Sequence, residues 1–151
     1  MARFTIRSSH GEAPAEARAI RRQVFVEEQG VGSDEEWDEH DAAGAATLHF
    51  VAFEAGRAVG CARLRAHGEA AKVERVAVLP ALRRLGLGRA LMEAAEHAAA
   101  ERGQARLVLH AQVAVIPFYE RLGWRAHGPE FDEAGIPHRR MEKDVPANPP
   151  G

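Results

Sequence analysis

VERVAVLPALRRLGLGRALM, residues 73–92, passes directly from a strand through a glycine-containing turn into a helix. The β-branched run predicts a strand over residues 72–79, and Pro80 ends it. From Leu87 to Arg102 the apolar positions Leu87, Ala90, Leu91, Ala94, Ala95 and Ala98 recur at helical spacing, and Gly103 fits the C-terminal cap. The intervening turn carries Arg83, Arg84, Leu85, Gly86, Leu87, Gly88 and Arg89. Glycines there let backbone N–H groups converge on an oxyanion, a helix N-terminus adds its dipole, and three guanidinium groups add charge. A pyrophosphate suits such a turn. The dinucleotide-binding fingerprint is excluded because it needs a third glycine where Leu91 stands, and the Walker pattern because its Lys-Ser/Thr pair is missing. Read alone, the two glycines are equally consistent with a tight turn whose arginines face water.

On the N-terminal side, residues 3–7 alternate like an opening strand, and Pro14 begins an Ala- and Arg-rich helical stretch ending near Phe25. Residues 48–54 and 58–65 are β-like runs joined by Ala55, Gly56 and Arg57, the pattern of an antiparallel hairpin. On the C-terminal side, residues 106–111 read as a strand, 115–122 as a short helix, and Trp124 with 138–144 as the last β segments. The expected fold class is therefore α/β in the broad sense (α+β): a mixed, mostly antiparallel central sheet flanked by helices. One domain over residues 1–145 is expected, followed by a disordered PANPPG tail at 146–151.

Composition narrows the function classes. The chain has 151 residues, 46% of them apolar, enough for one core without metal or disulfide support. Twenty basic and twenty-two acidic residues leave a net charge of −2, which gives no electrostatic footprint for nucleic acid. The lone Cys61 excludes an intrachain disulfide and fits a reducing compartment. No apolar run reaches the length of a signal-peptide core or a membrane span, so a soluble cytoplasmic protein is expected.

Arg83-x-x-Gly86-x-Gly88 after the strand 73–80 resembles the acetyl-CoA-binding motif of the GNAT (GCN5-related N-acetyltransferase) superfamily. LVLHAQVAVIPFYERLGW, residues 107–124, resembles the family's second motif, with Phe118, Tyr119, Gly123 and Trp124 matching. There the usual asparagine is replaced by Gln112 and an alanine by Val115. VFVEEQG at 24–30 is similar to a subgroup bearing an F-V-x-E-Q signature followed by an acidic segment. The resemblance implies a GNAT fold and acetyl-CoA as cofactor. It implies that the turn amides of residues 83–89 hold the pyrophosphate. Val76, Ala77 and Val78 would pair with the pantetheine arm, and Gln112 and Phe118 would complete the cofactor site. Tyr119 would protonate the departing CoA sulfur.

Thioester aminolysis needs a neutral amine, a polarised carbonyl and a protonated leaving thiolate. Glu74, on the cofactor strand, is the first candidate base; Glu27, Glu28 and Asp41 compete with it, and His110 is a second choice that reads first as a buried, hydrogen-bonded structural histidine. Glu74 could equally pair with a neighbouring strand. Cys61 lies outside every motif, so direct transfer in a ternary complex is expected rather than an acyl-cysteine. From Gln23 to Gly56 there is no lysine or arginine, while carboxylates crowd the first half. Glu27, Glu28, Gln29 and Asp41 are therefore candidates for binding a cationic amine. Asp34 to Glu39 fits a solvated helix start, Ser33 and Glu36 having capping-box spacing. Eight scattered histidines give no zinc or calcium spacing, and no metal is expected. The acceptor is a small-molecule amine or a protein amine, with no nucleic acid and no membrane as partner; a homodimer stays open. A non-catalytic acyl-CoA sensor or interaction module with the same fold is the alternative.

Overall fold

The computed structural model describes residues 3–145; the tail expectation for 146–151 lies outside the described residues. Seven strands form one sheet: β1 (Thr5–His10), β2 (Thr47–Glu54), β3 (Arg57–His67), β4 (Ala70–Val78), β5 (Arg106–Gln112), β6 (Arg125–Glu133) and β7 (Ile136–Asp144). Their spatial order is β1-β2-β3-β4-β5-β7-β6, antiparallel throughout except for the β4–β5 pair. The mixed, mostly antiparallel sheet expected from the sequence is the one found. The helices are α1 (Ala15–Arg21), α2 (Ser33–Glu36), α3 (Leu87–Glu101) and α4 (Ile116–Arg121). No helix among the described residues is long and apolar enough to cross a membrane.

Sequence chemistry explains the turns. Ala55 and Gly56 take φ of 49° and 80° between β2 and β3, the two left-handed positions of the hairpin turn that matches strand twist. Ala134 and Gly135 repeat this between β6 and β7, with φ of 54° and 76°. A β segment was expected only at Trp124, not over the length of β6. Its sequence RAHGPEFDE is mostly exposed and lacks alternation, and a register shift between His127 and Phe131 accommodates Gly128 and Pro129 at the sheet edge.

Helix α3 buries Leu87, Leu91, Met92, Ala95 and Ala99 on one face of the sheet, against Leu48, Leu64, Val73, Leu107 and Leu109. On the other face α1 packs Ala17 and Ile20 over Val51, Phe53, Cys61 and Ala77. Past Arg21 the chain continues as a π-helical segment, Arg22–Glu28, where an α-helix to Phe25 was expected. The wider π turns carry Val24 onto the sheet and bring Phe25 to the cavity described below.

Two features open the sheet. Strands β4 and β5 pair only at Ala71↔Leu107 and Lys72↔Val108, and both then run on unpaired with each other. Arg75 has φ of 55° beside a register shift against Cys61 and Arg63, so β4 bulges at the point of divergence. The result is a V-shaped opening in the middle of the sheet.

The acidic segment is a solvated helix start only in part: Asp34, Glu35 and Glu39 are exposed, while Glu36 is buried. Ser33 does not cap α2; Glu36 turns inward and accepts from Arg21 Nε at 2.7 Å. The capping box lies instead at Asp38 and Asp41. Asp41 receives Arg21 Nη1 at 2.6 Å and Arg63 Nη1 at 3.1 Å. Arg63 also reaches Asp38 and Glu74, each at 2.8 Å, and Arg75 reaches Glu36 and Asp38. Arg21 and Arg63 are each 1% exposed. Such charges persist in the interior only because every one is paired.

Candidate active site

The V opens into a cavity of about 910 Å³ lined by β4 from Lys72 to Val78, the turn before α3, β5, α4, and the π-helical segment. Val76, Ala77, Val78, Arg83, Arg84, Gly86, Gly88, Arg89, Gln112, Phe118 and Tyr119 all line it. The structure thus brings together residues from two motifs far apart in sequence. Leu85 and Leu87 do not line it: the Leu85 side chain is exposed, and Leu87 is sealed in the core, so these two have only backbone to offer.

The turn is shaped as an anion cradle. Arg84 and Gly86 adopt φ of 67° and 84°, and Gly86 caps a 15-residue helix. No side chain bonds to that N-terminus, so the first N–H groups of α3 keep their donors for another acceptor. Gly88 lies under Phe118; a Cβ there would meet Phe118 Cζ at 3.1 Å. A diphosphate and an amide-rich arm fit this set: free helix-terminal donors, Arg84 and Arg89 nearby, and an unpaired strand edge at Val76 to Val78.

Tyr119 is 8% exposed, its ring edge-on to Phe118 and Trp124 at 5.0 and 6.2 Å. Burial pushes its phenol up to about 12, and its hydroxyl makes no hydrogen bond among the described residues. Gln112 donates to Gln29 Oε1 at 2.9 Å, tying β5 to the end of the π-helical segment.

The acidic candidates are redistributed. Asp41 is 3% exposed and absent from the cavity wall. Burial works to raise its carboxyl, but Arg21 and Arg63 outweigh this and hold it well below the usual carboxylate range. It serves the buried network, which corrects its reading as a substrate residue. Glu27 is exposed and does not line the cavity. Glu28 forms a two-pronged ion pair with Arg83 at 2.7 and 2.8 Å, while Arg83 Nε donates to the Val78 carbonyl at 3.0 Å. Arg83 is therefore held toward the acidic segment rather than left free for a phosphate. Of that group only Gln29 lines the cavity.

Glu74 lines the cavity, yet its carboxylate is filled by Arg63, Arg65 and Lys72 at 2.8, 2.7 and 3.2 Å. Burial alone would raise its carboxyl; hydrogen bonds and charge from Arg65, Arg63 and Lys72 hold it far below its ordinary value. A carboxylate so stabilised in its ionised form is a poor proton acceptor, which argues against Glu74 as base. Cys61 is 1% exposed, and burial pushes its thiol up to about 12, so it presents neither a thiolate nor a surface.

One group was not foreseen. Glu133, at the end of β6, accepts from His110 Nδ1 at 3.0 Å and lies 3.6 Å from His138 Nε2, all three on the cavity wall. The tripeptide Glu-Ala-Gly occurs twice, at 54–56 and 133–135. The second copy marks the β6–β7 hairpin as surely as the first marks β2–β3, and it is the signal from which Glu133 could have been placed.

These features are those of an acyltransferase fold, and the comparisons give the family. The acetyltransferase (GNAT) domain family matches residues 16–145, and the chain belongs to that family. It is 40% identical over 126 residues to an uncharacterized N-acetyltransferase of Bacillus subtilis, YjcF, covering 83% of this chain and 88% of that one. The crystal structure of an acyl-CoA N-acyltransferase from Pseudomonas aeruginosa superposes with a TM-score of 0.81 at 29% identity, over 93% of this chain and 99% of the other. An aminoglycoside 6'-N-acetyltransferase complexed with coenzyme A shares the fold, with a TM-score of 0.72 at 18% identity over 95% and 99% of the two chains.

Proposed function

We propose that this protein transfers an acetyl group from acetyl-CoA directly to an amine acceptor within a ternary complex. One observation carries the reading: a single cavity joins the N-terminus of α3, where no side chain bonds the first N–H groups, the unpaired edge of β4 at Val76 to Val78, and Tyr119. The helix terminus and Arg84 and Arg89 would hold the diphosphate of the coenzyme, and the free strand edge its pantetheine amides. That the aminoglycoside acetyltransferase sharing this fold is complexed with coenzyme A supports the choice.

The chain's own groups then divide the work. Backbone N–H groups at the β4 bulge can stabilise the oxyanion as the thioester carbonyl is attacked. Tyr119, protonated across the physiological range because burial raises its phenol to about 12, donates to the leaving sulfur. Cys61 has no path to the acyl group.

Initial-rate kinetics test the order of events. With acetyl-CoA and an accepted amine varied together, intersecting double-reciprocal lines are expected, and Cys61→Ala is expected to keep kcat within about twofold, the site having no role in general acid–base steps. Parallel lines, or abolished turnover in Cys61→Ala, would refute direct transfer. Acetyl-CoA binding without turnover of any acceptor would instead favour a non-catalytic sensor.

A further inference from the structure

We propose that His110, with its ring held by Glu133, is the proton acceptor of this cavity, Glu133 acting as its positioning residue; the proposal rests on the transferase reading above. Strands β4 and β5 part company after Lys72↔Val108, so Glu74 and His110 stand two residues beyond the last pair on opposite arms of the V. Both line the cavity where the strands diverge, but only one is free to take a proton. The oxygens of Glu74 are occupied by three cations.

His110 is differently placed. Its Nδ1 sits 3.0 Å from Glu133 Oε1, and an ionised carboxylate can only accept, so Nδ1 carries the hydrogen. Hydrogen bonding to His110 lowers the Glu133 carboxyl from its ordinary range, which keeps it ionised. The neutral ring is thereby fixed as the tautomer whose Nε2 lone pair is open, and Nε2 makes no hydrogen bond among the described residues. Phe131 meets the imidazole edge-on at 5.0 Å and 77°, holding its plane. His138 is braced in turn, its Nδ1 2.7 Å from the Ile136 carbonyl and its Nε2 toward Glu133. The titratable and charged groups around His110 are Glu133 from β6, His138 and Arg140 from β7, Arg140 being the cross-strand partner of His110, and Lys72 and Glu74 from β4 on the same cavity wall. Among the described residues no group of three or more His, Cys, Asp or Glu is arranged to hold a metal ion.

The step balances without a further reactant. The amine nitrogen forms its bond to the thioester carbonyl carbon, the C–S bond breaks, and its electron pair leaves on sulfur. The amine proton passes to His110 Nε2 while the Tyr119 phenol gives its proton to sulfur. The imidazolium then returns a proton to the phenolate through solvent, leaving an amide and the CoA thiol.

The test measures CoA thiol release from acetyl-CoA against pH, with spermidine, tyramine and lysine as acceptors and water alone as the acceptor-free reaction. Wild type is expected to show a rise in kcat/KM through the imidazole range, distinct from the rise of the amine itself near pH 10. His110→Gln is expected to lower kcat about 10²-fold, to erase the lower rise and to leave the KM for acetyl-CoA unchanged. Glu133→Gln is expected to move that rise to lower pH, since the imidazolium loses its anionic partner; a purely structural role would not shift it. Turnover that His110→Gln leaves within threefold, with the lower rise intact, overturns the dyad alone. Calorimetric binding of acetyl-CoA with no turnover by wild type on any acceptor, water included, overturns the dyad together with the transferase reading.

Discussion

Replacing Arg63 with alanine is expected to lower stability by about 3–5 kcal/mol, the cost typical of removing one partner from a buried ion pair. Arg63 is 1% exposed and is the hub through which Asp38, Asp41 and Glu74 are all neutralised. Its loss takes one cation from each of three carboxylates, leaving Asp41 with Arg21, Glu74 with Arg65 and Lys72, and Asp38 with Arg75. For a domain of this size the melting temperature should fall by roughly 10 °C or more. A pH dependence accompanies the drop. Asp41 and Glu74 both titrate below their ordinary values when folded. Their contribution is therefore complete above the unfolded carboxylate range, near pH 4, and disappears as pH falls through and below it. Wild type should lose stability steeply from about pH 5 downward, and Arg63→Ala should show a shallower slope because less of that contribution exists to be lost. Thermal melts between pH 3 and 8 decide it; a variant within two degrees of wild type, with the same slope, would contradict the network's role.

Tyr119→Phe is expected to reduce kcat by about 10³-fold, within the range spanned by general acid catalysis, while the protein melts within a degree or two of wild type. The change removes one oxygen and keeps the ring. The ring is what packs against Phe118 and Trp124, and the hydroxyl bonds to nothing among the described residues. Structure and chemistry are thus separable at this position. Because burial holds the phenol protonated up to about 12, it remains a donor as pH rises, and no loss of rate from Tyr119 is expected below that range. Steady-state kcat with acetyl-CoA and the best amine is the measurement. A variant within threefold of wild type would mean that solvent or another group protonates the thiolate.

The legible parts of the sequence were those whose meaning is local. The run from Val73 to Met92 carries strand, stop, turn and helix cap in adjacent residues, and the structure reproduces it with Gly86 capping α3 and Gly103 ending it at φ 73°. Tyr119 and Gln112, each part of a continuous motif, both line the cavity. What stayed hidden depends on residues distant in sequence. Nothing in VGSDEEWDEHD says that Glu36, Asp38 and Asp41 will meet Arg21, Arg63 and Arg75, since that requires α1, β3 and β4 to be assembled first. Asp41 was therefore read as available charge, when it is committed with Glu36 and Asp38 to the ion-pair network while Glu27, Glu28, Asp34, Glu35 and Glu39 stay exposed. Glu133 was missed for a second reason: β6 is an edge strand with Gly128 and Pro129 inside it, and its weak alternation concealed the hairpin that brings Glu133 back to His110.

The measurement that bears most directly on the account is the melting temperature of the purified protein with acetyl-CoA, CoA and NAD at matched concentrations, for wild type and for Gly88→Val. A ligand bound only by the folded state stabilises it, by about 2.7 kcal/mol at a hundred times its Kd, and so raises the melting point. The account predicts a rise with acetyl-CoA and CoA, none with NAD, and none for Gly88→Val, whose side chain would occupy the space between α3 and Phe118 beside the turn. No shift at saturating acetyl-CoA, or an equal shift in the valine variant, would contradict the assignment of this cavity to the coenzyme.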